Sequence, residues 1–203
     1  MPLTVDVATS EQEVDDARRL EEAVFGEVFG NTPEQLAAEY GPYEHASQFL
    51  LCRNASSGSA LGVGRLIRPS DAGLKTLVDV AAEPWRADGS LLAQRAGLDL
   101  ERTWDVATLA VLPSARRGVV SATLYRALVD AMQKAGAVSW TAIVDCKVLT
   151  LLRRAGISAE PLPGLEPAPY LGSVSSVPVF GHFADIRFSP LAPAPAGQPS
   201  RAA

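Results

Sequence analysis

The stretch from Trp104 to Val144 restricts the fold more than any other part of the chain. Trp104 to Leu112 is a strongly apolar run and reads as a strand. Pro113-Ser114-Ala115-Arg116-Arg117-Gly118 has the composition of a loop. Val120, Leu124, Leu128, Ala131, Met132 and Ala135 then recur at the spacing of a one-sided helix, and Gly136 stands where a glycine commonly ends one. Val138 to Val144 is a second apolar extended run. Strand, helix and strand in this order form a βαβ unit, which belongs to the α/β class.

The rest of the chain adds a hairpin and two capped helices. Residues 3–8 alternate apolar and polar, as a half-buried strand does. Ser10 stands three residues before Glu13, a capping-box spacing, and Val14, Ala17, Leu20, Val24 and Val28 follow at helical intervals. Thr32-Pro33-Glu34-Gln35 repeats the signal, with proline at the first helical position, and opens a short helix to about Tyr40. Phe49 to Arg53 and Ala60 to Ile67 flank a turn-forming Asn54–Ser59 and predict an antiparallel hairpin. Short helices are expected over Leu74–Ala82, Leu91–Leu100 and Val148–Ala155, a short strand from Ile157, and a last strand within Val177–Phe188. A hairpin followed by βαβ units implies a mixed sheet with helices on both faces. Residues 1–188 are expected to form one domain, with 189–203 a Pro/Ala-rich disordered tail.

Composition removes several function classes. A formal net charge of −5 argues against general nucleic-acid binding, which needs a basic face. Cys52 and Cys146 sit in apolar stretches without regular spacing and read as reduced core thiols. His45 and His182 are isolated, so no metal site is expected. No serine lies in a nucleophile-elbow motif, which disfavours a hydrolase. The N-terminus lacks the marks of a signal peptide and no apolar run reaches the roughly 18 residues of a membrane span, so a cytoplasmic protein without membrane association is expected.

Within this acidic chain, Arg116 and Arg117 fall at the start of a helix. A helix N-terminus presents unpaired N–H groups and partial positive charge, and binds phosphate readily. Arginine is unfavourable against that dipole, which favours an anion-binding role over a solvated pair.

Residues 109–121, Leu-Ala-Val-Leu-Pro-Ser-Ala-Arg-Arg-Gly-Val-Val-Ser, resemble the acyl-thioester motif of the GNAT superfamily, Val-x-Pro-x-x-Arg-x-x-Gly-x-Gly/Ala. Arg116 falls on the motif arginine, and Val119 and Ser121 on its two glycines. A narrower resemblance runs from about residue 18 to 175, to the acyl-homoserine-lactone (autoinducer) synthases and N-acyl amino acid synthases. Its matches are Glu39–Glu44, Gly62–Ser70, Trp104–Val111, Leu151–Gly156 and Pro167–Gly172. The positions that autoinducer synthases use toward S-adenosylmethionine fall on Gly41 and Glu44, and their strand arginine falls on Thr108, so amine acylation of the N-acyl amino acid synthase kind fits better.

The resemblance implies a GNAT-like fold with a mixed, mostly antiparallel central sheet flanked by helices. It also implies an acyltransferase moving an acyl group from a CoA or acyl-carrier-protein thioester to the amine of an amino acid or related small molecule, without a metal. The backbone at Leu109, Ala110 and Val111 would then hold the thioester carbonyl, and Arg116, Arg117, Gly118, Val119 and Ser121 the donor's phosphates. Asp105, a charged residue in an apolar strand that matches the synthases' glutamate, is the candidate general base, with Glu101 second; a strand-start Asp at the surface is the alternative. Arg65 either holds a substrate carboxylate or is a paired structural arginine. Tyr43 and Glu44 either line the acceptor side with Thr108 or form an exposed turn. Trp104 and Trp140 read as core aromatics, and the helix at Val148 lacks the tyrosine that many GNAT enzymes use as general acid. Two further readings are an acetyl-CoA-dependent small-molecule N-acetyltransferase and a non-catalytic acyl-thioester-binding protein.

Overall fold

A computed structural model describes residues 2–188 except Arg117. Both the Arg117 assignment and the tail at 189–203 lie outside the described residues. The two capping boxes form as their spacing predicts. The Ser10 hydroxyl accepts from Glu13 N–H while the Glu13 carboxylate accepts from Ser10 N–H, opening α1 (Glu11–Phe29). Thr32 and Gln35 do the same for α2 (Pro33–Tyr40). α1 turns its stripe inward through Ala17, Leu20 and Val24; Val28, at the end of that stripe, is exposed instead.

The sheet begins with β1 (Leu3–Val7), β2 (Ser47–Asn54) and β3 (Ala60–Ile67), and β2 and β3 form the expected hairpin. β4 (Thr103–Val111), β5 (Ser139–Asp145), β6 (Glu160–Pro161), β7 (Ala168–Tyr170) and β8 (Ser173–His182) complete it. The order is β1-β2-β3-β4-β5-β8-β6, with β7 also paired to β8. Among the described strands only β4 and β5 pair in parallel, as their βαβ connection requires, so the sheet is mixed and mostly antiparallel.

α1 and α2 lie on one face with α3 (Lys75–Asp79) and α4 (Gly89–Arg95). α5 (Val119–Lys134) and α6 (Cys146–Arg154) cover the other. The period of two distributes side chains between the layers: Phe49 and Leu51 pack toward α1, Leu50 and Cys52 toward α5.

Several boundaries move. The helix expected over Leu91–Leu100 ends at Arg95, and the strand expected from Ile157 forms only at Glu160–Pro161. The last strand starts earlier, at Ser173, because β7 turns straight back into it through Leu171-Gly172. Cys52 is a buried free thiol, whereas Cys146 is half-buried at the first position of α6. Trp140 is a core aromatic as expected, and Trp104 is half-buried.

Candidate active site

β4 and β5 pair over only three rungs, Thr103↔Ser139, Trp104↔Trp140 and Asp105↔Thr141. β4 continues to Val111 and β5 to Asp145, so the strands part beyond the third rung. On the other side of β4 the register with β3 shifts between Arg65↔Thr108 and Leu66↔Val106, leaving Ala107 as a bulge. The bulge brings Thr108 onto the face already occupied by Asp105, where it meets α1.

A cavity of about 140 Å³ opens where the strands part. Val106, Ala107, Thr108 and Leu109 form one wall, and Ala142, Ile143, Val144 and Asp145 the other. Toward α5 and α6 it is lined by Leu128, Met132, Trp140 and Leu152; toward α1 and α2 it reaches Phe25, Phe29, Tyr40 and Tyr170. The cavity therefore passes from one face of the sheet to the other. Its α1 side is closed by the two-residue turn at Leu171 (φ 43°) and Gly172 (φ 83°), the positive-φ pair of a type I′ hairpin. Gly172 has no side chain because a Cβ there would stand 2.3 Å from Phe29 O.

Two polar clusters, the first buried and the second partly so, flank the cavity on the α1 face. In the first, the Arg65 guanidinium forks onto Glu21, with Nε donating to Oε1 at 3.2 Å and Nη2 to Oε2 at 2.6 Å. Thr108 Oγ1 donates to the same Glu21 Oε1 at 2.5 Å. Glu21 is 1% exposed, and Arg65 and Thr108 are each 3% exposed. Arg65 also reaches Glu44 at 3.4 Å and stacks over the rings of Tyr40 and Phe49. Burial pushes the Glu21 carboxyl above the usual range, against the pull of Arg65 and Thr108.

In the second cluster Lys75 is ion-paired to Glu39 and, at 2.6 Å, to Asp79, and Tyr170 Oη lies 3.1 Å from its ammonium. The Tyr170 hydroxyl is 2.8 Å from Glu39 and 2.7 Å from Asp79. Burial and these two carboxylates hold the Tyr170 hydroxyl protonated. The open end of β5 carries Asp145, whose carboxylate accepts from Ser173 Oγ at 2.9 Å and from Lys147 N–H at 2.7 Å.

Asp105 stands between the clusters, 1% exposed. Its Oδ1 accepts from Thr141 Oγ1 at 2.6 Å and from Thr76 N–H at 3.1 Å, while Oδ2 has no partner among the described residues. Burial raises its pKa despite both bonds. Asp105 is thus a buried carboxylate on the last paired rung, not a surface strand-start residue, and the cavity wall begins with the next residue.

The remaining candidates are distributed as follows. Thr108 and Leu109 line the cavity, and Ala110 and Val111 carry β4 on from it. Arg116 is exposed and folds back so that its Nε donates to Val111 O at 3.1 Å. Gly118 (φ 82°) is the N-cap of α5 and, lacking a side chain, offers no capping oxygen to the N–H groups of the first turn, Val119 to Ser121. Glu101 is exposed on a separate surface pocket beside Leu74 and Gly89. Tyr43 is not in an exposed turn but is buried against Leu36, Tyr40 and Ile67, its hydroxyl pushed up to about 12, chiefly by burial. Glu44 is ion-paired to Arg18 and Arg65 and lies outside the cavity lining.

Sequence reasoning missed Glu21, Lys75 and Tyr170. Glu21 carried a readable signal: it lies four residues after Ala17 and one after Leu20, on the buried stripe of α1. Tyr170 lay within the Pro167–Gly172 match without a role attached, and Lys75 carried no signal, since its contact with Tyr170 spans 95 residues of chain.

Among the described residues no group of three or more His, Cys, Asp or Glu side chains is placed to hold a metal ion, and no helix is long and apolar enough to cross a membrane. No protein-family model and no curated protein matches the chain. Solved structures do. An N-acyl amino acid synthase from uncultured soil microbes superimposes with a TM-score of 0.67 at 13% identity, covering 91% of this chain and 92% of that one. The CoA-dependent acyl-homoserine lactone synthase BjaI, solved with SAM and isopentyl-CoA, gives 0.62 at 18% identity over 92% and 84%. Spermidine N-acetyltransferase from Vibrio cholerae, in complex with CoA and spermine, gives 0.56 at 10% identity over 91% and 97%. This chain has the fold of the GNAT acyltransferases, and within it resembles the N-acyl amino acid and autoinducer synthases.

Proposed function

We propose that the chain is an N-acyltransferase that moves an acyl group from a CoA or acyl-carrier-protein thioester to the amine of an amino acid or related small molecule. The observation that carries this reading is the apolar cavity passing through the sheet between β4 and β5. The edge of β4 facing β5 has no strand partner beyond Asp105; the Val111 carbonyl is taken by Arg116, and the remaining groups of Leu109–Val111 that face this edge would hold an extended pantetheine arm and the thioester carbonyl. The first turn of α5, with Gly118, Val119 and Ser121 and no side-chain cap from Gly118, receives the donor's phosphates, and Arg116 adds charge beside it.

The acyl tail occupies the α5–α6 side of the cavity, where Leu128, Met132, Trp140 and Leu152 offer apolar walls. An apolar cavity of about 150 Å³ accommodates a benzene ring, so one of about 140 Å³ favours a tail larger than acetyl. The amine acceptor enters from the α1–α2 side, past Phe29, Tyr40 and Tyr170. Two buried carboxylates border the parting on that side, Asp105 and Glu21, and one of them takes the amine's proton; the family resemblance nominates Asp105.

The test is a thermal-shift series with CoA and its acetyl, butyryl, hexanoyl, octanoyl and decanoyl thioesters. Mass spectrometry of mixtures with free amino acids and a polyamine then looks for amides. Stabilisation that grows with acyl length to a limit, and an amide product, support the reading. No shift with any thioester sinks it.

A further inference from the structure

Thr108 is the one residue that both lines the cavity and touches a buried carboxylate of the α1 face through its side chain among the described contacts of β4. Its single hydroxyl proton is spent on Glu21 Oε1, so toward the cavity it can offer only lone pairs. A group that accepts toward the substrate and donates toward a carboxylate can relay a proton between the two. Asp105 lacks that connection: it does not line the cavity, and its Oδ1 is committed to Thr141 and Thr76.

We propose that the acceptor amine's proton leaves through Thr108 to Glu21, which makes Thr108 a catalytic residue and Glu21 the terminal proton acceptor. This rests on the acyl-transfer reading above. The amine nitrogen bonds to the thioester carbonyl carbon; its proton passes to Thr108 Oγ1 as the threonine's own proton passes to Glu21 Oε1. The C–S bond then breaks, and the departing thiolate recovers one proton from Glu21 along the same path. Amine and thioester become amide and thiol, with no other reactant consumed.

The surroundings of Glu21 suit the task. Protonating a carboxylate that neutralises a buried arginine would normally strand the arginine. Here Arg65 has a second carboxylate, Glu44, at 3.4 Å, so its charge stays paired while Glu21 holds the proton. Glu44 also adds to the forces that raise the Glu21 carboxyl toward neutrality, behind burial itself.

The experiment follows thiol release by the full chain, using the donor and acceptor pair most active in the thioester and amine series above. Thr108→Val is expected to lower kcat by about 100-fold, within the range of general acid–base catalysis. Thr108→Ser, which keeps the hydroxyl, should recover most of it. Glu44→Gln should move the acid limb of the kcat–pH profile to lower pH, since the negative charge that raises Glu21 is gone. A Glu21 that takes no proton during turnover would not give that displaced limb. An active wild type whose Thr108→Val variant, folded by its thermal melt, keeps its rate and pH profile overturns the relay alone. A wild type that consumes no thioester overturns the acyl-transfer reading and the relay together.

Discussion

Asp105 and Thr141 face each other across the last paired rung of β4 and β5, with the threonine hydroxyl donating to Asp105 Oδ1 at 2.6 Å, and the strands part at the next residue. The bond ties β5 to β4 at the apex of the opening, while Thr76 N–H ties α3 to the same oxygen. Thr141→Val keeps the shape and removes the donor. Because Asp105 Oδ2 already lacks a partner, the loss is expected to cost about 1–3 kcal/mol in a denaturant melt.

Buried Asp105 should also mark the pH dependence of stability. Its folded pKa is raised above the ordinary carboxylate value, chiefly by burial. The folded state therefore holds this proton to higher pH than the unfolded chain. The associated stability is complete below the ordinary carboxylate range and is lost as pH rises through the folded value. Asp105→Asn removes that loss, so the Tm of the variant minus that of the wild type should increase between about pH 4 and about pH 8. A constant difference across that range would contradict a raised Asp105.

Leu171 adopts φ 43° in the turn between β7 and β8 while lining the cavity. A bulky residue there is strained by roughly 1–2 kcal/mol, and Asn tolerates the conformation far better. Leu171→Asn is expected to raise stability by up to about 1 kcal/mol while raising the KM for the amine acceptor, whose side of the cavity Leu171 closes. Thermal melts and acceptor titrations check the two halves separately.

Met132 is buried in α5 and forms part of the apolar wall. Met132→Ala should cost about 2–5 kcal/mol of stability and enlarge the space on the α5 side. The longest acyl-CoA that stabilises the protein in the thermal-shift series should then be longer than for wild type.

The helices, the hairpin and the βαβ unit were legible in the sequence because each depends on neighbours close along the chain. Ser10 and Glu13 cap locally, and the stripe from Val120 to Met132 is read from spacing alone. The motif from Leu109 to Ser121 likewise gave the end of β4 and the start of α5, the elements the proposed function assigns to the donor. The strand boundaries near Ile157 and Ser173 were not legible, since pairing to β8 rather than propensity decides them.

The distance at which β4 and β5 separate is a tertiary property. So is the bulge at Ala107, which brings Thr108 onto the face of Glu21 across 87 residues of sequence. The sequence by itself determined the elements and the chemical character of the candidate residues, through local hydrogen bonding and apolar periodicity. Only packing decided which polar groups meet: Arg65 with Glu21, Lys75 with Glu39 and Asp79, and Asp105 with Thr141. Desolvation and pairing energies depend on distance in space, which the order of residues does not carry.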